Sequence, residues 1–174
     1  MNIVLIGYRG TGKSHVGRVL ADKLFFPYVS IDKAIVLRAG MSIPEIVELF
    51  GWPGFRDRET VEVREISVWD SIVIDSGGGV IERPENIELL RENGLVIWLK
   101  ASVPTIVKRI EGGIDRPALT EGKSFTEEVS EVLERRTPLY RSASMHEIDT
   151  DTLEPEEIAS QIILLWQKRS ERSL

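Results

Sequence analysis

A short apolar run, Ile3-Val4-Leu5-Ile6, stops at the stretch GYRGTGKS, Gly7–Ser14. This satisfies the pattern G-x-x-x-x-G-K-[ST] through Gly7, Gly12, Lys13 and Ser14, and each residue type has a task. Glycines let successive backbone N–H groups turn inward around phosphate oxygens. Lys13 can reach the β- and γ-phosphates, and the Ser14 hydroxyl can ligate Mg²⁺. A helix starting at the loop adds its positive end. From residue usage alone such a pattern arises in roughly one chain in a hundred; here it also follows a strand and opens a helix. Gly10, Thr11, Gly12, Lys13, Ser14 and His15 are therefore the candidate nucleotide-binding residues.

A loop of this kind belongs between a buried parallel strand and a covering helix, and the chain repeats that alternation. Strands are expected at Asn2–Ile6, Tyr28–Ile31, Ser71–Asp75, Leu95–Leu99 and His146–Asp149. Most are too apolar to be half-exposed, which suits a parallel sheet covered on both faces. Val16, Val19, Leu20 and Leu24 have helical spacing, as do Ile158, Ile162, Leu165 and Trp166. Ser42 with Glu45, and Ser124 with Glu127, read as capping boxes, and Gly51 as the end of the first of these helices. Pro104 and Gly112 bracket a helix over Thr105–Ile110. The expectation is one three-layer α/β domain over 1–174 with right-handed crossovers. Asp32–Trp69 reads as a helical insertion, and Gly112–Lys123, GGIDRPALTEGK, as a loose charged loop.

Bulk properties narrow the partners. The chain has 174 residues, enough for one full-sized core, and a net charge of −6. An acidic chain lacks the basic footprint of a nucleic-acid binder, so an anionic ligand must be held by local cations. With no cysteine, disulfides, thiolate metal sites and cysteine nucleophiles are excluded. That absence is compatible with the cytoplasm. Ile3–Ile6 is too short for the core of a signal peptide, and no apolar run approaches a membrane span. No N-K-x-D guanine-reading motif is present. A small chain with a helical insertion and an arginine-bearing loop suggests a small-molecule kinase, with an insertion that binds the acceptor and a lid that closes.

Six motifs in order sharpen this reading: Gly7–Ser14, SID at Ser30–Asp32, GFRDRE at Gly54–Glu59, SGGG at Ser76–Gly79, RPAL at Arg116–Leu119 and RRTPLYR at Arg135–Arg141. Together they resemble the shikimate kinase family from Met1 to about Pro155. The resemblance implies a five-stranded P-loop kinase fold, a substrate-binding insertion over 32–60 and a mobile lid over 112–124. It implies transfer of the ATP γ-phosphoryl group to the 3-hydroxyl of shikimate, on the way to chorismate and the aromatic amino acids. The expected protein is a cytoplasmic monomer that uses ATP, shikimate and Mg²⁺, without nucleic acid or membrane.

The resemblance also implies roles. Asp32 binds the acceptor hydroxyls and is the base, although an aspartate here could equally cap a helix. Arg56 and Arg136 hold the acceptor carboxylate in guanidinium forks; Arg58 competes with Arg56, and surface ion pairing is the plainer alternative. Gly77, Gly78 and Gly79 lie against the acceptor, or simply make a tight turn. Arg116 is the lid arginine that closes on the transferring phosphoryl group. Arg109 and Pro155 sandwich the adenine.

One position departs from the family's pattern. Where the family usually has D-x-D, this chain has Ser30-Ile31-Asp32, so the aspartate associated with Mg²⁺ is lost. SIVIDSGGG instead places Asp75 at the end of the third strand, as in Walker B geometry. Asp75 either takes over the outer-sphere metal role or caps the glycine turn. The paired arginines demand an anionic acceptor without naming it, so a kinase for gluconate remains an alternative. A nucleotide-binding regulator is the other, hinted at only by Ser30.

Overall fold

The computed structural model describes residues 1–110 and 124–171. Five strands form one parallel sheet: β1 Asn2–Ile6, β2 Tyr28–Ser30, β3 Val73–Asp75, β4 Gly94–Lys100 and β5 His146–Asp149, in the order β2-β3-β1-β4-β5. All four pairings are parallel. Seven helices accompany it among the described residues: α1 Lys13–Leu24, α2 Ile31–Ala39, α3 Ile43–Ser67, α4 Pro84–Glu92, α5 Val103–Ile110, α6 Phe125–Ala143 and α7 Pro155–Glu171.

The alternation of side chains along each strand decides which helices it meets. Val4, Ile6, Ile74, Val96 and Trp98 point to one face, with Ile35 of α2, Phe55 and Val63 of α3, Leu90 of α4 and Tyr140 of α6. Ile3, Leu5, Val73, Leu95 and Ile97 point to the other, with Val16 and Leu20 of α1 and Ile158 and Ile162 of α7. Both faces are thus covered, giving the expected three-layer P-loop kinase architecture. Each fully buried Ile or Leu contributes about 1.5–3 kcal/mol, and β1 has no exposed residue.

Local chemistry sets the boundaries. The capping boxes at Ser42–Glu45 and Ser124–Glu127 are both formed. Two strands are shorter than the sequence suggests. β2 stops at Ser30, because the Ser30 hydroxyl accepts from the Lys33 N–H at 3.4 Å and caps α2. β3 begins at Val73, because Ser71 takes a left-handed φ of 57°. Gly51, read as a helix end, instead interrupts α3 (φ 66°, ψ 176°), which resumes through Pro53 and runs to Ser67. The stretch Gly112–Lys123, with its expected lid, lies outside the described residues.

Candidate active site

In a parallel sheet every strand delivers its C-terminal end to the same edge, which is where α/β proteins bind ligands. A cavity of about 620 Å³ opens at this edge. Arg9 to Val16 line it, together with Ser30, Asp32, Asp75, Ser76, Gly78, Arg109 and the segment Thr150–Pro155. The expected nucleotide-binding residues Gly10, Thr11, Gly12, Lys13, Ser14, His15, Arg109 and Pro155 therefore all line one cavity.

The glycine loop is held open by its own groups. Gly10 and Gly12 have φ of 80° and 92°, a region that L side chains rarely enter. The Thr11 hydroxyl donates to the Tyr8 carbonyl at 2.8 Å. The Lys13 ammonium donates to the Gly7 and Tyr8 carbonyls at 2.8 and 3.0 Å, which keeps the cation at the mouth of the loop. Arg109 clamps the far side: it donates to the Gly10 carbonyl at 3.2 Å, and to the Thr150 hydroxyl and carbonyl at 3.0 and 2.7 Å.

Ser14 donates its hydroxyl to Asp75 Oδ2 at 2.6 Å, and Tyr28 donates to the same oxygen at 2.6 Å. Burial and the Asp75 charge both push the Tyr28 phenol up, so it stays a donor. Asp75 stands directly opposite Ser30 in the β2–β3 register. The glycine turn beyond it is closed by backbone bonds, Val80 N–H to Gly77 O and Glu82 N–H to Gly79 O. Ser14 and Asp75 are hard oxygen groups on the cavity wall, and the serine proton already points at the carboxylate. Its lone pairs are thereby left to a cation, so the pair fits Mg²⁺ held mainly by phosphate oxygens and water.

Asp32 lies in the first turn of α2, two residues past Ser30, which supplies the cap. Behind it Gly77 and Gly79 are needed for space. A Cβ on Gly77 would sit 2.8 Å from Asp32 Oδ1 and 2.7 Å from Glu59 Oε1. A Cβ on Gly79 would sit 2.2 Å from Arg56 Nη2. Gly78 meets only backbone, and its carbonyl accepts the Tyr140 hydroxyl.

Arg56 turns inward and is 7% exposed, whereas Arg58 donates to the Gly54 carbonyl at 2.8 Å and stacks on Phe50. Arg136 from α6 is equally buried. Two carboxylates meet these arginines. Glu59, fully buried, accepts from Arg56 Nη1. Glu82 Oε1 accepts from Arg136 Nε at 2.9 Å and Nη2 at 2.7 Å, and its Oε2 lies 3.7 Å from Arg56 Nε. Burial pushes the Glu59 carboxyl up against the pull of Arg56. Burial also raises Glu82, but the charges and hydrogen bonds of Arg136, Arg56 and Arg135 outweigh it and hold this carboxyl below its usual range. Arg116 lies outside the described residues.

Sequence reasoning missed Arg9, Glu82, Tyr28, Tyr140 and the Thr150–Glu154 wall. Glu82 carried a signal, an acidic residue three places after a glycine turn. Arg9 occupies an unspecified position of the loop motif; it pairs with Glu128 at 3.6 Å and covers Phe125.

The chain matches the family model described as "Shikimate kinase" over residues 9–166. A shikimate kinase of Thermodesulfovibrio yellowstonii is 41% identical over 97% of this chain and 96% of its own length. One from Caldicellulosiruptor bescii is 38% identical over 93% of each. A shikimate kinase from Acinetobacter baumannii, solved in complex with shikimate, superposes with a TM-score of 0.91 at 33% identity, covering 97% of this chain and 93% of that one. The chain belongs to the shikimate kinase family.

Proposed function

We propose that this protein transfers the γ-phosphoryl group of ATP to the 3-hydroxyl of shikimate, giving shikimate 3-phosphate and ADP. The observation that carries this is one edge of a sheet bearing a phosphate cradle, the Asp32 carboxylate and two buried inward-facing arginines. The relatives named above support the acceptor's identity. Gluconate kinase and silent regulator are not favoured.

ATP lies with its phosphates on the Gly10–Ser14 amides and its adenine between Arg109 and Pro155. Shikimate lies over Gly77–Gly79 with its carboxylate between Arg56 and Arg136. Its 3-hydroxyl then faces the γ-phosphorus, and Asp32 accepts the proton as the new O–P bond forms and the bond to the bridging oxygen of ADP breaks. Lys13 leaves the loop carbonyls for the β- and γ-oxygens, where its charge counts most as the bond to ADP breaks. Arg116, by resemblance, closes on the same group. Mg²⁺, when bound, neutralises phosphate charge, and Ser14 with Asp75 would hold it.

No described helix is long and apolar enough to cross a membrane. We read it as a monomer working as a single domain in the cytoplasm, where ATP is supplied, as the family resemblance implies. An ADP-release assay across hydroxy acids tests the reading. Shikimate is expected to drive turnover, gluconate not, and Asp32→Asn to lower kcat by about 10²–10⁴-fold. A folded protein that releases no ADP with shikimate and Mg-ATP overturns it.

A further inference from the structure

The arginines assigned to the acceptor are not waiting empty-handed. Arg136 commits both Nε and Nη2, one edge of its fork, to a single oxygen of Glu82. Arg135 reaches the same oxygen at 3.2 Å, and the second Glu82 oxygen faces Arg56 Nε at 3.7 Å. A side-chain carboxylate thus bridges the two guanidinium groups that a bound acid would bridge.

Glu59 and Glu82 differ in whether they can leave. The Glu59 side chain is 0% exposed, and departure would strand a charge in the core. The Glu82 side chain is 30% exposed, and it sits at the end of a one-turn 3₁₀ segment, Val80–Glu82. It can rotate its carboxylate into water at little desolvation cost.

We infer that Glu82 is an internal stand-in for the acceptor's carboxylate, which shikimate must displace from Arg136 in order to bind. The inference rests on Arg56 and Arg136 being the acceptor's anchors. Glu82 then sets acceptor affinity without touching the reacting atoms. While it is seated it keeps the arginine pair neutralised and in place. Part of the acceptor's binding free energy is spent on replacing it, so apparent affinity falls by the fraction of protein in which Glu82 is seated.

The test is steady-state kinetics of the full chain with shikimate and Mg-ATP. Glu82→Gln keeps the shape but weakens the hold on Arg136. It is expected to lower KM for shikimate roughly three- to tenfold, leaving kcat and KM for ATP within about twofold. Glu82→Asp, a shorter carboxylate, is expected to fall between. A merely structural Glu82 would lower thermal stability without improving KM. Calorimetric titration of shikimate into nucleotide-free protein gives the same comparison independently of turnover. An unchanged or raised KM in Glu82→Gln overturns the inference.

Arg136→Met separates this from failure of the underlying site. If it raises KM for shikimate while Glu82→Gln brings no gain, only the stand-in role falls. If it leaves KM for shikimate unchanged, the acceptor site itself is misplaced and the inference falls with it.

Discussion

Ser30 and Asp75 face each other across neighbouring strands, paired in register where β2 and β3 end. The carboxylate missing from the end of one strand is thus present at the end of the next. Asp75 is the acceptor for the Ser14 hydroxyl at 2.6 Å, so it can orient a metal-binding oxygen from the second coordination sphere.

Asp75→Asn is therefore expected to raise the Mg²⁺ concentration for half-maximal turnover by roughly tenfold. Adding Ser30→Asp to that variant should recover much of the loss, since the replacement carboxylate lies across the same strand pair. Titrating Mg²⁺ against initial rate checks both. An unaltered Mg²⁺ requirement in Asp75→Asn removes the metal role.

Gly79→Ala places a methyl group where Arg56 now lies, 2.2 Å from Nη2. Arg56 must shift, and displacing a positioning group by about 1 Å can cost up to 10²-fold. The expected outcome is a rise of at least about tenfold in KM for shikimate, with KM for ATP unaffected. Gly78→Ala, whose added carbon would be no closer than 3.5 Å to any atom beyond its chain neighbours, should be the milder of the two. Equal effects at both positions would contradict the spatial argument.

Tyr140→Phe removes the hydroxyl that donates to the Gly78 carbonyl inside the core. The orphaned carbonyl should lower stability by about 1 kcal/mol, read by denaturant unfolding. The stacking of this ring on Trp98, at 5.7 Å and 18°, stays intact, so far-UV circular dichroism should not change.

Glu82 couples stability to pH. Its carboxyl is held below the ordinary value of 4.5 by Arg136 and its neighbours, which outweigh burial. A depressed value in the fold means stability that is present above 4.5 and is lost as pH falls through the folded value. Glu82→Gln should thus cost roughly 1 kcal/mol near neutrality, discounted for solvent screening, and progressively less in acid. A cost that grows as pH falls would reverse the sign and refute the assignment.

Arg109→Ala strips the plane expected to stack on adenine and the clamp from Gly10 to Thr150. A rise of about fivefold or more in KM for ATP is expected, with KM for shikimate unaltered. Measuring both constants in one assay distinguishes this from general damage.

Much of the architecture was legible because its causes are local. An apolar tetrad, a glycine motif and two S-x-x-E boxes each act within a few residues, so β1, α1 and the starts of α3 and α6 could be read directly. Boundaries at Ser30 and Ser71 were missed because a single side-chain bond, or a single left-handed residue, decided them. The choice of Arg56 over Arg58 rested on the family resemblance and not on local chemistry, since both flank Asp57 in a charged segment. Only packing on α3 turns Arg56 in and stacks Arg58 on Phe50. The same holds for Glu82, whose partners lie on α3 and α6, far along the chain from it.

The strand order has a consequence for biogenesis. β1 is made first, yet its two sheet neighbours are β3 and β4. The stem of the phosphate cradle therefore stays unpaired along both edges until Val73–Asp75 and Gly94–Lys100 have been synthesised. A nascent chain arrested before Gly94 carries the complete glycine motif but cannot rigidify it, and should retain no ATP. Nucleotide capture by ribosome-bound intermediates would then report closure of the central sheet rather than synthesis of the motif itself.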